Sequence, residues 1–466
     1  MNNNSSRRDF LKGAAWMGAA ALAADAFAAD RQLAPAGGSM YNFTVPPMST
    51  IRVGVVGVGS RGLAAVQRIC RIPGCVVTAL CDVNPPRVAL GQKELAARNC
   101  PAAKEYSKGP EDYKRLCDAS DVDVVYSATP RELHCAINVY AMNAGKHVLQ
   151  EVPGAFSLEE CWQTVETAEK TRRHCMMLEN CCYGENELLA LNLVRQGVLG
   201  EIVQAEAGYS HDQRSLQYNP TDGVFWRIKR HMTHHGNYYP THGLCPMAKC
   251  LDINRGDRFE YLVSMETKSA GFEAFAAATL PEGDERRDWR MVRGDINMTL
   301  IHTAKGRTIS LTHNVSTPRP YDRGDMLLGT KGMFRAYPEL MIAYEDKIGD
   351  GKAHAYFSKE RTEEVRQKYM HPLWQAAGEV AKKVGGHGGM DFVMDLRWAF
   401  CLQNGLPLDT NVYDLAAWSS IVELSERSVN GRSAPVDVPD FTRGAWKTAK
   451  PFEIVDIDLA KMGVKI

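Results

Sequence analysis

The chain has 466 residues, 45% apolar and 24% charged, with 55 basic side chains against 55 acidic ones and a pI of about 7.2. That length is too great for one ordinary core and points to two domains. Balanced charge without a basic run argues against nucleic acid as a partner and suits a neutral small molecule or sugar better.

The N-terminus carries a charged start with Arg7 and Arg8, an apolar centre from Gly13 to Leu22, and an A-x-A site at Ala26-Phe27-Ala28. In that order these features read as a twin-arginine signal peptide over 1–28, which directs already folded proteins to the periplasm or beyond. The apolar run is too short to span a bilayer, so no stable membrane anchor is expected. Residues 29–50 read as a loose linker.

Order is expected from Ile51. "IRVGVVG" reads as a buried strand, "SRGLAAVQRICRI" as the helix after it, and "CVVTALCDV" as a second strand ending at Asp82. "DVVYSAT", "HVLQEV" and "HCMMLEN" supply further strands, with "LHCAINVYAMNAG" and "LEECWQTVETAEKTRR" as helices between them. This alternation predicts a doubly wound parallel sheet over 51–182. Over 183–466 the pattern changes to an α+β domain. "IVQAEAGYS", "FEYLVSMETKS", "INMTLIHTA" and "TISLTHNVS" read as strands of a mostly antiparallel open sheet, with a turn at Lys305-Gly306. Three helical patterns follow, the last near Tyr413–Val429 and expected to pack back on the body.

Thirteen cysteines at irregular spacing, in a chain expected to fold before export, read mainly as buried small hydrophobes. The absence of C-x-x-C argues against zinc, and "KRHMTHHGN" reads as a polar loop rather than a metal site.

Gly57-Val58-Gly59-Ser60-Arg61-Gly62 matches G-x-G-x-x-G between a strand and a helix. The three glycines then serve a tight turn, close approach to a pyrophosphate, and close helix–sheet packing. Asp82, twenty positions past Gly62, suits the adenosine ribose hydroxyls and would repel a 2′-phosphate. NAD is therefore favoured over NADP, although Arg61 argues mildly the other way.

The fingerprint and "SATPRELHCAINVYAMNAGKHVLQE" resemble the Gfo/Idh/MocA oxidoreductases. Where dehydrogenases of that family carry Glu-Lys-Pro, this chain has Glu151-Val152-Pro153, and valine cannot move a proton. "QEVPG", "MMLENCCYG", "GYSHD", "FWRIKRH", "GNYYPTHGLCPMAKCLDINRGDRF" and "RPYDRGDMLLGTKG" resemble glycoside hydrolase family 109. That resemblance implies an NAD-dependent α-N-acetylgalactosaminidase needing no metal. It implies oxidation at the sugar's C3, elimination, water addition and re-reduction, with no net redox change. A tightly held cofactor would then need no recycling after export. The partner implied is a glycan with terminal N-acetylgalactosamine; homo-oligomerisation is left open.

Carried over residue by residue, the resemblance makes His242 the principal acid/base group and Tyr239 a proton relay or substrate contact. Pro240 and Thr241 join them, with Tyr209, Tyr321 and Arg227 as further substrate contacts. Core packing competes for Tyr209, and Arg230 competes with Arg227. At the cofactor the resemblance places Ser60, Arg61, the segment Arg131-Glu132-Leu133-His134, Glu151, Val152 and Asn180. His211, His234, His235 and His387 are left without a role. Three other readings stay open: an exported sugar oxidoreductase of the Gfo/Idh/MocA type, a sugar-binding protein on a retired dehydrogenase fold, and a different glycosidase specificity such as β-linked or N-acetylglucosamine substrates.

Overall fold

A computed structural model describes residues 37–221, 224–344, 355–451 and 457–464. The signal-peptide reading and the first part of the linker lie outside the described residues.

The first sheet is built from β1 (Ile51–Val56), β2 (Cys75–Cys81), β3 (Lys104–Tyr106), β4 (Val124–Ser127), β5 (His147–Gln150) and β6 (Cys175–Met177). All neighbours pair in parallel, in the order β3-β2-β1-β4-β5-β6. β4 and β5 are buried at every position, which is why they read as unbroken apolar runs rather than alternations. The order reverses between β1 and β4, so the loops after these strands open a crevice at their carboxyl ends.

The second sheet contains β7 (Ile202–Ser210), β8 (Phe259–Glu266), β9 (Ile296–Thr303), β10 (Thr308–Asn314), β11 (Met326–Gly329), β12 (Gly332–Arg335), β13 (Met341–Tyr344) and β14 (Val436–Asp437). Its order is β13-β12-β11-β7-β10-β9-β8-β14, antiparallel except for the β7–β10 pair. Gly306, at φ +78°, makes the β9–β10 turn expected at Lys305-Gly306.

The helix Val412–Asn430 starts with an Asn411–Asp414 capping box, and Arg255 binds the Asp414 carboxylate through two 2.7 Å bonds. It packs against the helix Leu158–Thr171, β6 and β8. Ser419 Oγ accepts from Gly154 N at 3.1 Å, and Ser425 Oγ from Asn237 N at 2.8 Å. One helix therefore fixes both the loop after β5 and the segment leading to Tyr239.

Two expectations are corrected. The described end of the supposed loose linker is tied down: Met40 is buried, its N–H donates to the Tyr413 hydroxyl, and Tyr41 donates to Asn254 O. "KRHMTHHGN" is not a simple polar loop, because Ile228–Thr233 is helical. His231 is 1% exposed and packs edge-on to Phe272 and Tyr238, since one face of that short helix covers a small aromatic core. The thirteen cysteines are all free, and all but Cys70 and Cys100 are buried.

Candidate active site

The glycine loop shows a different constraint at each position. Gly57 has φ +86°, and a Cβ there would meet Ala128 O at 2.7 Å. A Cβ on Gly62 would sit 1.8 Å from Gly57 O, so that glycine lets the helix Ser60–Ile69 lie on the turn. Gly59 faces open space, its nearest neighbour being Arg87 Nη1 at 3.7 Å. This is a cradle that admits a ligand's phosphates at a helix N-terminus. Ser60 is exposed at the first turn of that helix. Asp82 accepts from Val58 N at 2.8 Å and Asn84 N at 2.9 Å, which holds its carboxylate beside the loop. Val83 leaves an exposed apolar side chain next to it, and Arg87 reaches within 3.9 Å of Asp82. The donors and the open cradle fit a dinucleotide.

Arg61 does not extend its side chain freely over the cradle. Its guanidinium joins Glu151 Oε1 at 2.7 Å to Asp391 Oδ2 at 2.9 Å. Glu151 also accepts from the Tyr126 hydroxyl at 3.3 Å, and Asn180 Nδ2 donates to Asp391 Oδ1 at 2.6 Å. These residues form one polar network between the first sheet and the helix Met390–Asn404. His387 is half in it, with Nδ1 3.0 Å from Asp391 Oδ2. Val152 is buried in the main core.

The segment Arg131–Leu133 is a 3-10 turn after β4. Glu132 and Leu133 are exposed, whereas Arg131 is buried with its guanidinium carbon 4.0 Å from the Tyr239 ring centre. His134 turns inward instead. Its two ring nitrogens lie 2.8 Å from Pro153 O and 3.0 Å from Thr129 O, bracing the loops after β4 and β5. Burial pushes its pKa down to about 4.

Tyr239 and His242 meet where the two sheets approach. Tyr239 N donates to the Asn237 side chain at 3.1 Å, and Pro240 ends the turn as the residue before the helix Thr241–Cys250. Thr241 is buried. His242, in the first turn, points Nε2 at the Tyr239 hydroxyl (2.9 Å) and Nδ1 at Glu179 Oε1 (2.6 Å). Burial pushes the Glu179 carboxyl up, but the imidazole beside it and hydrogen bonds, including one from Cys181 N, outweigh burial and hold it below its usual value. A carboxylate can only accept, so Nδ1 carries a proton, which leaves Nε2 of the neutral imidazole to accept from Tyr239. The result is a buried relay: Glu179, His242, Tyr239.

Tyr209, at the end of β7, lies with its ring 4.5 Å from Tyr239 and 5.2 Å from His242, and its hydroxyl accepts from Gln213. It both packs in the core and walls the relay. Tyr321 is 42% exposed and stands edge-on to Tyr209 at 6.2 Å, its hydroxyl accepting from Arg323 at 3.2 Å. Arg227 lies 5.2 Å from the Tyr239 ring, whereas Arg230 stacks 4.1 Å from the Phe156 ring. Of the two arginines left open by the sequence, Arg227 is the one at the relay. His211 also joins this wall, 4.9 Å from Tyr209 and 5.1 Å from Tyr321.

Sequence reasoning missed Glu179. It sits in the quoted "MMLENCCYG", directly before Asn180 at the end of β6, where an acid after a buried apolar run is itself a signal. Among the described residues, Glu179, Cys181 and His242 bring potential ligand atoms within 4.8 Å of one another. Burial keeps the Cys181 thiol protonated, and Glu179 and His242 already bond each other, which is the arrangement of a proton relay.

Comparison with known proteins agrees with the two-sheet architecture. Residues 51–179 match the model for the oxidoreductase family with an NAD-binding Rossmann fold, and residues 183–448 match that for the glycosyl hydrolase 109 C-terminal domain. A glycosyl hydrolase family 109 protein from Shewanella baltica strain OS155 is 44% identical over 460 residues, covering 97% of this chain and 99% of the relative. One from Solibacter usitatus is 43% identical over 451 residues, covering 96% and 100%. Among solved structures, levoglucosan dehydrogenase with NADH and levoglucosan superposes with a TM-score of 0.63 at 19% identity, over 84% of this chain and all of that one. The WlbA dehydrogenase of Bordetella pertussis, in complex with NADH and UDP-GlcNAcA, gives 0.59 at 15%, over 85% and 99%. The chain belongs to glycosyl hydrolase family 109, a glycoside hydrolase built on an NAD-binding Rossmann fold.

Proposed function

We propose that the protein is an exo-acting α-N-acetylgalactosaminidase whose proton transfers run through Tyr239, His242 and Glu179. The observation that carries this is the relay itself, set against a cradle shaped for NAD and lacking the dehydrogenase lysine. When bound, NAD supplies reversible hydride exchange with C3 of the sugar.

The chain's own groups do the rest. Gly57–Gly62 and Asp82 hold the dinucleotide, Val83 offers the adenine an apolar edge, and Glu132 and Leu133 line its path. A sugar resting against the exposed Tyr321, behind which Tyr209 packs edge-on, presents its ring to Tyr239. Tyr239 passes its proton to His242 Nε2 and takes the C3 hydroxyl proton in exchange; the imidazolium gives that proton up to solvent, and the reset pair then takes the proton from C2 once C3 is a ketone. Glu179 stabilises the imidazolium that forms. The same relay gives the C2 proton to the departing oxygen as the C1–O bond breaks, takes one from the water that adds at C1 and passes it to C2, and a proton from solvent finally restores the C3 hydroxyl. Arg227 positions the sugar's oxygen substituents.

The N-terminal pattern supports export of the folded, NAD-loaded protein by the twin-arginine route. An enzyme that ends each turnover with its cofactor unchanged can work where no NAD is supplied.

Release of p-nitrophenol from its α-N-acetylgalactosaminide by protein purified without added NAD is the expected result. Stripping the nucleotide should abolish release and adding NAD should restore it. No release from the loaded protein, accompanied by accumulation of NADH with a sugar substrate, would favour the sugar oxidoreductase instead.

A further inference from the structure

Two arginines converge on one face of the relay. The guanidinium carbons of Arg131 and Arg227 lie 4.0 and 5.2 Å from the Tyr239 ring centre, and 5.2 and 5.6 Å from that of Trp226. Arg131 is only 4% exposed, yet its Nη1 and Nη2 have no hydrogen-bond partner, and neither does Nε of Arg227.

Other buried arginines of this chain are neutralised: Arg68 by Asp395, Arg255 by Asp414, Arg397 by Asp409, and Arg443 by Glu169. Among the described residues Arg131 and Arg227 have no carboxylate partner. The two acids nearby are engaged, Glu151 by Arg61 and Glu179 by His242. Burial, reinforced by the charge of Arg227, pushes Arg131 down to about 10. A buried guanidinium without a counterion, with the like charge of the partly buried Arg227 beside it, is costly to maintain. A neutral sugar hydroxyl does not offset that cost; an oxyanion taken by the planar guanidinium forks does.

We propose that Arg131 and Arg227 form an oxyanion subsite of the substrate cleft, so that the sugar presented to Tyr239 carries a sulfate ester or a carboxylate. The cofactor's phosphates belong at Gly57–Gly62 after β1, whereas Arg131 follows β4 and faces Tyr239, so the anion is assigned to the substrate. The place of the sugar rests on the glycosidase reading; the capture of an anion rests on the two guanidiniums alone.

Calorimetric titration of the NAD-bound protein separates the two. The probes are N-acetylgalactosamine, its 6-sulfate, galacturonic acid and inorganic sulfate. The 6-sulfate or galacturonic acid should bind about tenfold or more tightly than the neutral sugar, and whichever does so names the group. Arg131→Gln should bring that ratio to within about twofold, while Arg131→Lys keeps part of it. Equal binding of neutral and acidic sugars, a preference surviving in Arg131→Gln, or inorganic sulfate matching the acidic sugar would overturn the subsite. Should Arg131→Gln fail to fold, the wild-type ratio and its decline with salt decide. Retained preference without p-nitrophenol release from the α-N-acetylgalactosaminide would refute the glycosidase reading and leave the subsite standing.

Discussion

Glu179 decides what His242 can do. Without a carboxylate on Nδ1, the imidazole is free to adopt the other tautomer and to turn its protonated nitrogen toward Tyr239. Glu179→Gln should therefore lower kcat by on the order of 10²- to 10⁴-fold with little change in KM, read from aryl glycoside kinetics. A fall confined to KM would make Glu179 a structural acid. The two arginines give a paired test. Arg227→Ala should raise KM about tenfold, whereas Arg230→Ala, which removes packing on Phe156, should leave KM within about twofold. His242 was legible because the "YPTHG" context is specific. Glu179 was not, because its partner lies 63 positions away and strand-end acids are common.

At the scale of elements, the site depends on a helix backbone lying directly on a strand. Gly243 and Gly208 meet where the helix Thr241–Cys250 crosses β7, and a Cβ on Gly243 would stand 2.2 Å from Gly208 N. That contact sets His242 and Tyr239 against Tyr209. Gly243→Ala must push the helix away, and a shift of about 1 Å can cost on the order of 10²-fold in rate. NAD content, measured by absorbance, should stay unchanged, because the cradle lies on the other sheet. Loss of NAD as well would mean the helix supports the whole fold. The strands before β11 were readable from apolar runs and turn residues, except the short β3, whose "KEY" carries one buried side chain. The helix Ile228–Thr233 was not, because "KRHMTHH" has one apolar residue, Met232, and is made helical by the burial of Ile228 and His231 among aromatics. Tertiary packing outweighed local composition there.

Over the whole molecule, a polar network joins the phosphate loop to the second half of the chain. Asp391 binds Arg61 and accepts from Asn180, with Arg68 at 3.5 Å. Burial raises its carboxyl, but His387, Arg61 and Arg68 outweigh burial and hold it well below the usual carboxylate range. A depressed carboxyl contributes stability above its unfolded value near 3.9, and that contribution is lost as pH falls toward the folded value. Asp391→Asn should therefore destabilise by about 3 kcal/mol at pH 7, and by less at pH 3, in urea titrations. An effect equal at both pH values would mean that the side chain's shape, not its charge, supports the joint. No sequence pattern announced this network, since its members, around Arg61, Tyr126, Glu151, Asn180 and Asp391, come from five separate segments. The two-layer plan was plain from the switch between strand–helix alternation and long alternating strands.

The central claim is that proton transfer at C2 of the sugar passes through Tyr239 and His242. It is tested most directly by running aryl α-N-acetylgalactosaminide hydrolysis in deuterated water and examining the released sugar by mass spectrometry and NMR. The account predicts one deuterium at C2 in product from the wild type, with hydrolysis and C2 exchange lost together in His242→Asn. Hydrolysis that leaves C2 fully protonated at every extent of reaction would contradict it.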